Sequence, residues 1–239
     1  MKKLEFFKNN IDLIKNYTKV NSNMNRFNLI IKSAVDSVKD PDNGKHISEL
    51  GDLTNLNSLK QIKSRMLETE EGKQIISEMP RITEKTIDFK NLCNYDKNTL
   101  GYAYYNYMIK NNFTPNERPI VKYIHDVELS YICQRYKETH DFYHVLLEKD
   151  TTLIDEVALK WFEAEHLKLS SSSLGGLFGS LTLQPKEIFF MYNKLIPGII
   201  QVARNSRFLL GIYYEKRINQ DLNQLRNELN IDLSKIPKH

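Results

Sequence analysis

Apolar residues along this chain recur at three- and four-residue intervals, the period of a buried helix face, and Gly is scarce at 9 residues. The pattern predicts helices over about 25–38, 58–68, 71–79, 99–112, 126–149, 152–169, 186–204 and 206–229. Punctuation agrees with it: "DPDNG" (40–44) reads as a turn, and "FTPNERP" (113–119) reads as a loop. Pro80 closes the third helix, because the residue before a proline is driven out of the helical region. "SSSSLGGLFGS" (170–180) is a run of small residues with poor helix propensity, and it reads as an irregular linker. No repeat and no shift of composition divides the chain. The expected architecture is all-α: an extension over 1–24, then a single-domain multi-helix bundle over 25–239.

At 239 residues the chain can bury one sizeable core, and its 41% hydrophobic and 27% charged content is that of an ordinary globular protein. The net charge of +4 provides no field that calls for nucleic acid, and it leaves only a weak attraction to an anionic membrane. Two cysteines, Cys93 and Cys133, make no disulfide framework and suit a reducing compartment. No stretch reaches the roughly 20 apolar residues of a membrane span. The nearest, 188–203, is broken by Lys194 and by Pro197-Gly198. The first twenty residues are Lys-rich, with Leu4, Phe7, Ile11 and Ile14 at helical spacing. They read either as a mitochondrial presequence or as the first amphipathic helix of the fold.

The helix at 126–149 carries the chemistry. Its apolar positions Leu129, Ile132, Cys133, Tyr136, Tyr143 and Leu147 form a series that His140 and His144 complete without a gap. Both histidines therefore lie within the apolar stripe, with Asp141 about 100° round from His140 at its edge. Buried polar groups need partners. A pair of satisfied core histidines and a metal site are both open readings, since side chains four apart on a helix point the same way. The zinc-protease pattern requires Glu directly after the first His, and Asp141 stands there instead.

After Lys149 the chain turns, and Thr152 with Asp155 three residues on resembles a capping box that opens a new helix. An antiparallel hairpin brings Glu156 level with His144, whereas a straight helix would leave them about 18 Å apart. His140, Asp141, His144 and Glu156 can then meet between two antiparallel helices. Such a mixed nitrogen and oxygen set suits Zn, Mn or Fe.

"HDFYH", eleven residues and Glu156 resemble the HDxxH-x11-E motif of the coenzyme Q (ubiquinone) biosynthesis protein 4 family. Six blocks follow the family's order: "EEGKQIISEMPRI" (70–82), "TLGYAY" (99–104), "TPNERP" (114–119), "ELSYICQRYKETHDFYH" (128–144), "EVALKWFEAEH" (156–166) and "IYYE" (212–215). Two positions depart from the pattern. His125 stands where an acidic residue is expected, and Asp155 stands where glycine is common.

The resemblance implies a peripheral protein on the matrix face of the mitochondrial inner membrane, working in a complex with other ubiquinone-biosynthesis enzymes. The implied activity is a zinc-dependent lyase acting on a polyprenylated hydroxybenzoate. It removes the C1 carboxylate of 4-hydroxy-3-methoxy-5-polyprenylbenzoate and leaves 2-methoxy-6-polyprenylphenol. His140, Asp141, His144 and Glu156 would hold the ion, and a water on it, or Glu156 itself, would deliver the proton. The alternative is a non-catalytic lipid-binding scaffold that organises the complex around a structural metal. A phosphohydrolase of the His-Asp type is a third reading, with His125-Asp126 as the only other such pair.

Other features have two readings each. Tyr102, Tyr105, Tyr136 and Tyr143 line a channel for the polyprenyl tail, or are simply core. The 170–180 run and the apolar segment from Phe189 to Ile200 meet the bilayer, are covered by a second subunit as a homodimer, or are ordinary loop and core. Arg118 and Arg135 receive the substrate carboxylate, or pair with nearby acids. His166, ten residues past Glu156, is too far along its helix to be a ligand.

Overall fold

The computed structural model describes residues 10–13, 17, 23–39 and 44–238. Most of the expected extension over 1–24 lies outside these residues, as does most of the turn expected at 40–44. The helices are α1 (Asn23–Lys39), α2 (Gly44–Thr54), α3 (Leu56–Met66), α4 (Glu70–Glu78), α5 (Leu100–Lys110), α6 (Val127–Leu147), α7 (Leu153–Leu167), α8 (Ser170–Leu181), α9 (Pro185–Phe190), α10 (Ile196–Asn205) and α11 (Leu222–Glu228). Among the described residues the one β-type pairing is an isolated bridge, Thr99 to Asp221. The fold is all-α. It groups into two compact units, one formed by the residues up to Arg81 with Arg118–Glu138, the other by Ile82–Glu117 with the residues from Thr139 onward. The boundary falls inside α6, so no linker composition marks it.

In the first unit, Leu59, Ile62, Met66, Ile75, Tyr131 and Ile132 are buried. Thr69 caps α4 by accepting from the Gly72 amide, and the left-handed Met79 (φ 45°) ends the helix before Pro80. Buried charge is paired: Arg81 bridges Asp12 at 3.0 Å and Glu138 at 2.7 Å, and Lys137 meets Asp52 at 2.7 Å. The second His-Asp pair has a structural role. Asp126 caps α6 by accepting from the Leu129 amide at 2.9 Å, and exposed His125 lies edge-on to Tyr17. Arg135 is wholly buried.

In the second unit an aromatic stack runs from Tyr104 on α5 through Phe142 on α6 to Tyr214, with ring centroids 4.2 and 4.8 Å apart. The buried face of α5 is therefore Leu100, Gly101, Tyr104 and Met108, with Tyr102 and Tyr105 half-exposed rather than its core. The expected linker at 170–180 is wrong: α8 is a full helix. Its small residues form a seam against α7. A Cβ at Gly179 would stand 2.7 Å from Val157 Cγ2, and one at Gly176 would stand 3.2 Å from the Trp161 ring. Trp161 also donates to Ser180 Oγ at 3.3 Å. Close approach of the two helices outweighs poor intrinsic propensity.

The helix expected over 206–229 is also corrected. Residues 209–216 hold only short tight turns, and α11 begins at Leu222. Leu209, Leu210, Ile212, Tyr213 and Tyr214 are all buried, so this stretch is enclosed on every side rather than along one helical face.

Candidate metal centre

The site lies wholly in the second unit, where α6 ends and α7 begins. Glu148 adopts a left-handed conformation (φ 51°) after the last turn of α6, and the Lys149 amide reaches back to the His144 carbonyl at 3.0 Å. That is a Schellman-type stop built without glycine. Thr152 then caps α7 by accepting from the Asp155 amide, as the capping-box pattern predicts. The Asp155 carboxylate accepts from the Asp150 amide and the Thr152 hydroxyl, each at 3.1 Å, and pairs with the buried Lys149 ammonium at 3.0 Å. From α5, Lys110 pairs with Asp150, Asn111 accepts from Thr151, and the Tyr107 ring stacks on His144. The turn between the histidines and Glu156 is thus tied down from three directions.

His140, His144 and Glu156 converge, with one ligand atom from each lying within 4.8 Å of the others. The two Nε2 atoms are 3.2 Å apart. Glu156 places one oxygen 3.3 Å from His144 Nε2 and the other 3.8 Å from His140 Nε2. Asp141 is not brought into this cluster. It is almost wholly buried (1% exposed), and its position a hundred degrees round α6 from His140 directs it elsewhere. His166 is a core histidine: Nδ1 donates to the Ala203 carbonyl at 2.7 Å, and Nε2 accepts from the Leu209 amide at 3.0 Å.

The hydrogen bonds behind the two imidazoles decide which nitrogens carry protons. His140 Nδ1 lies 2.7 Å from Glu163 Oε1. Burial pushes the Glu163 pKa up, but the Lys160 ammonium and His140 outweigh it and hold this carboxyl far below its usual range. It can therefore only accept. His144 Nδ1 lies 3.2 Å from the Lys149 carbonyl, which also only accepts. Both Nδ1 atoms carry hydrogens, and both Nε2 atoms turn lone pairs toward each other and toward a carboxylate. Nothing but a proton or a cation reconciles three such atoms at these distances.

A divalent ion fits. Tetrahedral ligands at about 2.0–2.2 Å from an ion stand about 3.3–3.6 Å apart, close to the separations here. A partner behind each imidazole is the usual support of a metal-bound histidine. Three protein ligands, with the Glu156 side chain 36% exposed, also leave one side of the cluster accessible.

Without an ion, a proton competes for that place. Burial and the Lys160 charge push the His140 pKa down, but Glu163 and Glu156 push it further up, above its ordinary 6.5. Zinc must displace this proton. Its affinity should therefore fall by about tenfold per pH unit once the pH drops below the raised His140 pKa, a decline that begins above pH 6.5. A chelator competition series from pH 8 to pH 5 measures this, and a flat response would contradict it.

Glu163, which stands behind His140, lies outside the motif. It is fully buried on α7, and its second oxygen accepts from Lys160 at 2.8 Å and from Ser172 at 2.9 Å. The sequence signal was present. Glu156, Lys160 and Glu163 recur at i, i+4, i+7, which places all three on one helix face.

The arrangement defines an all-α protein with a two-histidine, one-glutamate centre supported by a buried carboxylate. The sequence model of the family described as coenzyme Q (ubiquinone) biosynthesis protein Coq4 matches residues 17–235. The chain is 42% identical over 188 residues to the mitochondrial ubiquinone biosynthesis protein COQ4 homolog 2 of Paramecium tetraurelia, covering 79% of this chain and 90% of that one. It is 41% identical to the mitochondrial COQ4 homolog of Bombyx mori, over 83% of this chain and 77% of the relative. A crystal structure from Nostoc punctiforme, described as a ubiquinone biosynthesis protein, shares the fold with a TM-score of 0.67 at 19% identity, covering 87% of this chain and 97% of that chain. The chain belongs to the Coq4 family of ubiquinone biosynthesis proteins.

Proposed function

We propose that this protein is a metal-dependent carboxy-lyase of ubiquinone biosynthesis. It removes the C1 carboxylate of 4-hydroxy-3-methoxy-5-polyprenylbenzoate and yields 2-methoxy-6-polyprenylphenol. The observation that carries the reading is the convergence of His140 Nε2, His144 Nε2 and Glu156, three acceptors with an accessible side. A closed, four-ligand structural site would have favoured the scaffold.

The ion, zinc in the first instance and Mn or Fe as alternatives, would supply positive charge that orients the phenolic head group. His140 and His144 would hold it through Nε2, each imidazole fixed by the bond behind it. Asp141 stays a candidate fourth ligand only if its side chain moves. In the reaction a proton is added at C1, the bond from C1 to the carboxylate carbon breaks, and its electron pair restores the aromatic ring as CO2 leaves. No oxidant is required. Burial raises the Glu156 pKa, but the two imidazoles beside it, when protonated, outweigh that and hold it well below the usual carboxylate range. Glu156 is therefore a ligand first. To act as the acid it must take a proton from water at its exposed edge. The test offers zinc-loaded protein a prenylated 4-hydroxy-3-methoxybenzoate. CO2 and the matching phenol should appear, and none without metal. Retained zinc with no CO2, and other ubiquinone enzymes co-purifying, would support the scaffold instead.

The relatives are named mitochondrial, and no helix among the described residues is long and apolar enough to cross a membrane. We place the protein on the matrix face of the inner membrane, among other ubiquinone-biosynthesis enzymes. Leu174, Leu177, Phe178 and Leu181 on α8, with Phe189 and Tyr192 beyond it, are exposed, with Leu181 and Phe189 each more than two-thirds so. An apolar patch of this kind marks a contact surface, and a bilayer holding the substrate's tail suits it. Leu177→Glu/Phe178→Glu should lose flotation with liposomes while keeping its helix content. Equal flotation of variant and wild type would remove the membrane assignment.

A further inference from the structure

We propose that Lys160 receives the carboxylate group of the substrate, an inference that rests on the carboxy-lyase reading above. Lys160 lies one helical turn after Glu156 and on the same face of α7. Its ammonium is 2.8 Å from Glu163 Oε2, whose other oxygen is 2.7 Å from His140 Nδ1. The pair it makes with Glu163 is lopsided: the carboxylate is wholly buried, but the Lys160 side chain is 23% exposed. That partly exposed side chain lies on the helix face that also carries Glu156, the exposed member of the cluster.

The stem of Lys160 is held in place. Gly175 of α8 presents bare backbone to it, and a Cβ there would stand 3.4 Å from Lys160 Cδ and 3.5 Å from Cγ. The glycine lets the aliphatic chain lie along α8. Charge points the same way. A divalent ion with Glu156 and Glu163 sums to zero, and Lys160 leaves one positive charge to match one carboxylate. Arg135, the candidate on α6, is wholly buried. An ammonium shared with Glu163 also holds a carboxylate less tightly than a lone one. Binding energy is then not spent on the ground state that must lose CO2.

The test measures binding alone. Zinc-loaded full-length protein is titrated with 4-hydroxy-3-methoxybenzoate and with 2-methoxyphenol, the same ring without the carboxylate. Wild type should bind the acid at least about tenfold more tightly than the phenol. Lys160→Met should lose that preference at unchanged zinc content, and Lys160→Arg should keep it. Where Lys160→Met sheds zinc, Lys160→Met/Glu163→Gln replaces it, since the amide oxygen still accepts from His140 and no buried charge is left unpaired. A wild type with no preference, or a methionine variant that keeps one, overturns the assignment. CO2 release is not the readout. A carboxylate preference that depends on Lys160, without any CO2 release, would sink the lyase reading and leave this one standing.

Discussion

Changing His144 to alanine removes the metal and leaves the helices standing. His144 is 1% exposed, stacked on Tyr107 and bonded to the Lys149 carbonyl. Its loss leaves that carbonyl without this bond and opens a small void, a cost of about 1–3 kcal/mol. The aromatic stack of Tyr104, Phe142 and Tyr214 does not depend on it. The site loses far more, because one imidazole and one carboxylate cannot hold zinc against a chelator. Bound zinc should drop from about one equivalent to none, with a helical circular-dichroism signal near wild type and no rescue of ubiquinone production in cells that depend on this protein. A variant that kept zinc and ubiquinone output would show the cluster to be irrelevant.

Glu163→Ala is the second large effect, and it touches no metal. The carboxylate fixes which nitrogen of His140 is protonated and where the ring points. Removing such a partner typically weakens metal binding by about 10–100-fold. It also leaves the buried His140 Nδ1 hydrogen, the Ser172 hydroxyl and Lys160 without that acceptor. Glu163→Gln keeps an acceptor and should recover much of the loss. Zinc competition across the three proteins decides it: equal affinity in all would reduce Glu163 to a core ion pair.

The centre was largely legible in the sequence, because its signals are local. Two histidines four apart on an apolar face, a turn at Lys149 and the capping residues Thr152 and Asp155 place Glu156 opposite His144 by helix geometry alone. Asp141 was counted into the converging set from the hairpin geometry, although its angle on α6 already set it at the edge. Glu163 was missed because the motif ends at Glu156, while the charged face of α7 continues for two more turns. The fold was less legible wherever packing overrules local preference. Nothing in the Ser and Gly run of α8 favours a helix until Val157 and Trp161 are against it. Residues 206–229 carry enough apolar residues for a helix, but the continuous burial of 209–214 removes the one-sided periodicity that marks a helix there.

The left-handed Glu148 has a consequence for what chain lengths this hairpin tolerates. One residue stops α6, turns the chain and delivers the Lys149 carbonyl to His144. The Thr152 cap then sets the phase of α7. Adding or deleting a single residue between Thr152 and Glu156 would rotate the carboxylate by about 100° away from the histidines. A change at 150–151 would instead displace the Asp155 carboxylate from Lys149 and from the Asp150 amide. The eleven residues between His144 and Glu156 therefore act as a ruler, and their number is as much a part of the metal centre as the ligands at either end.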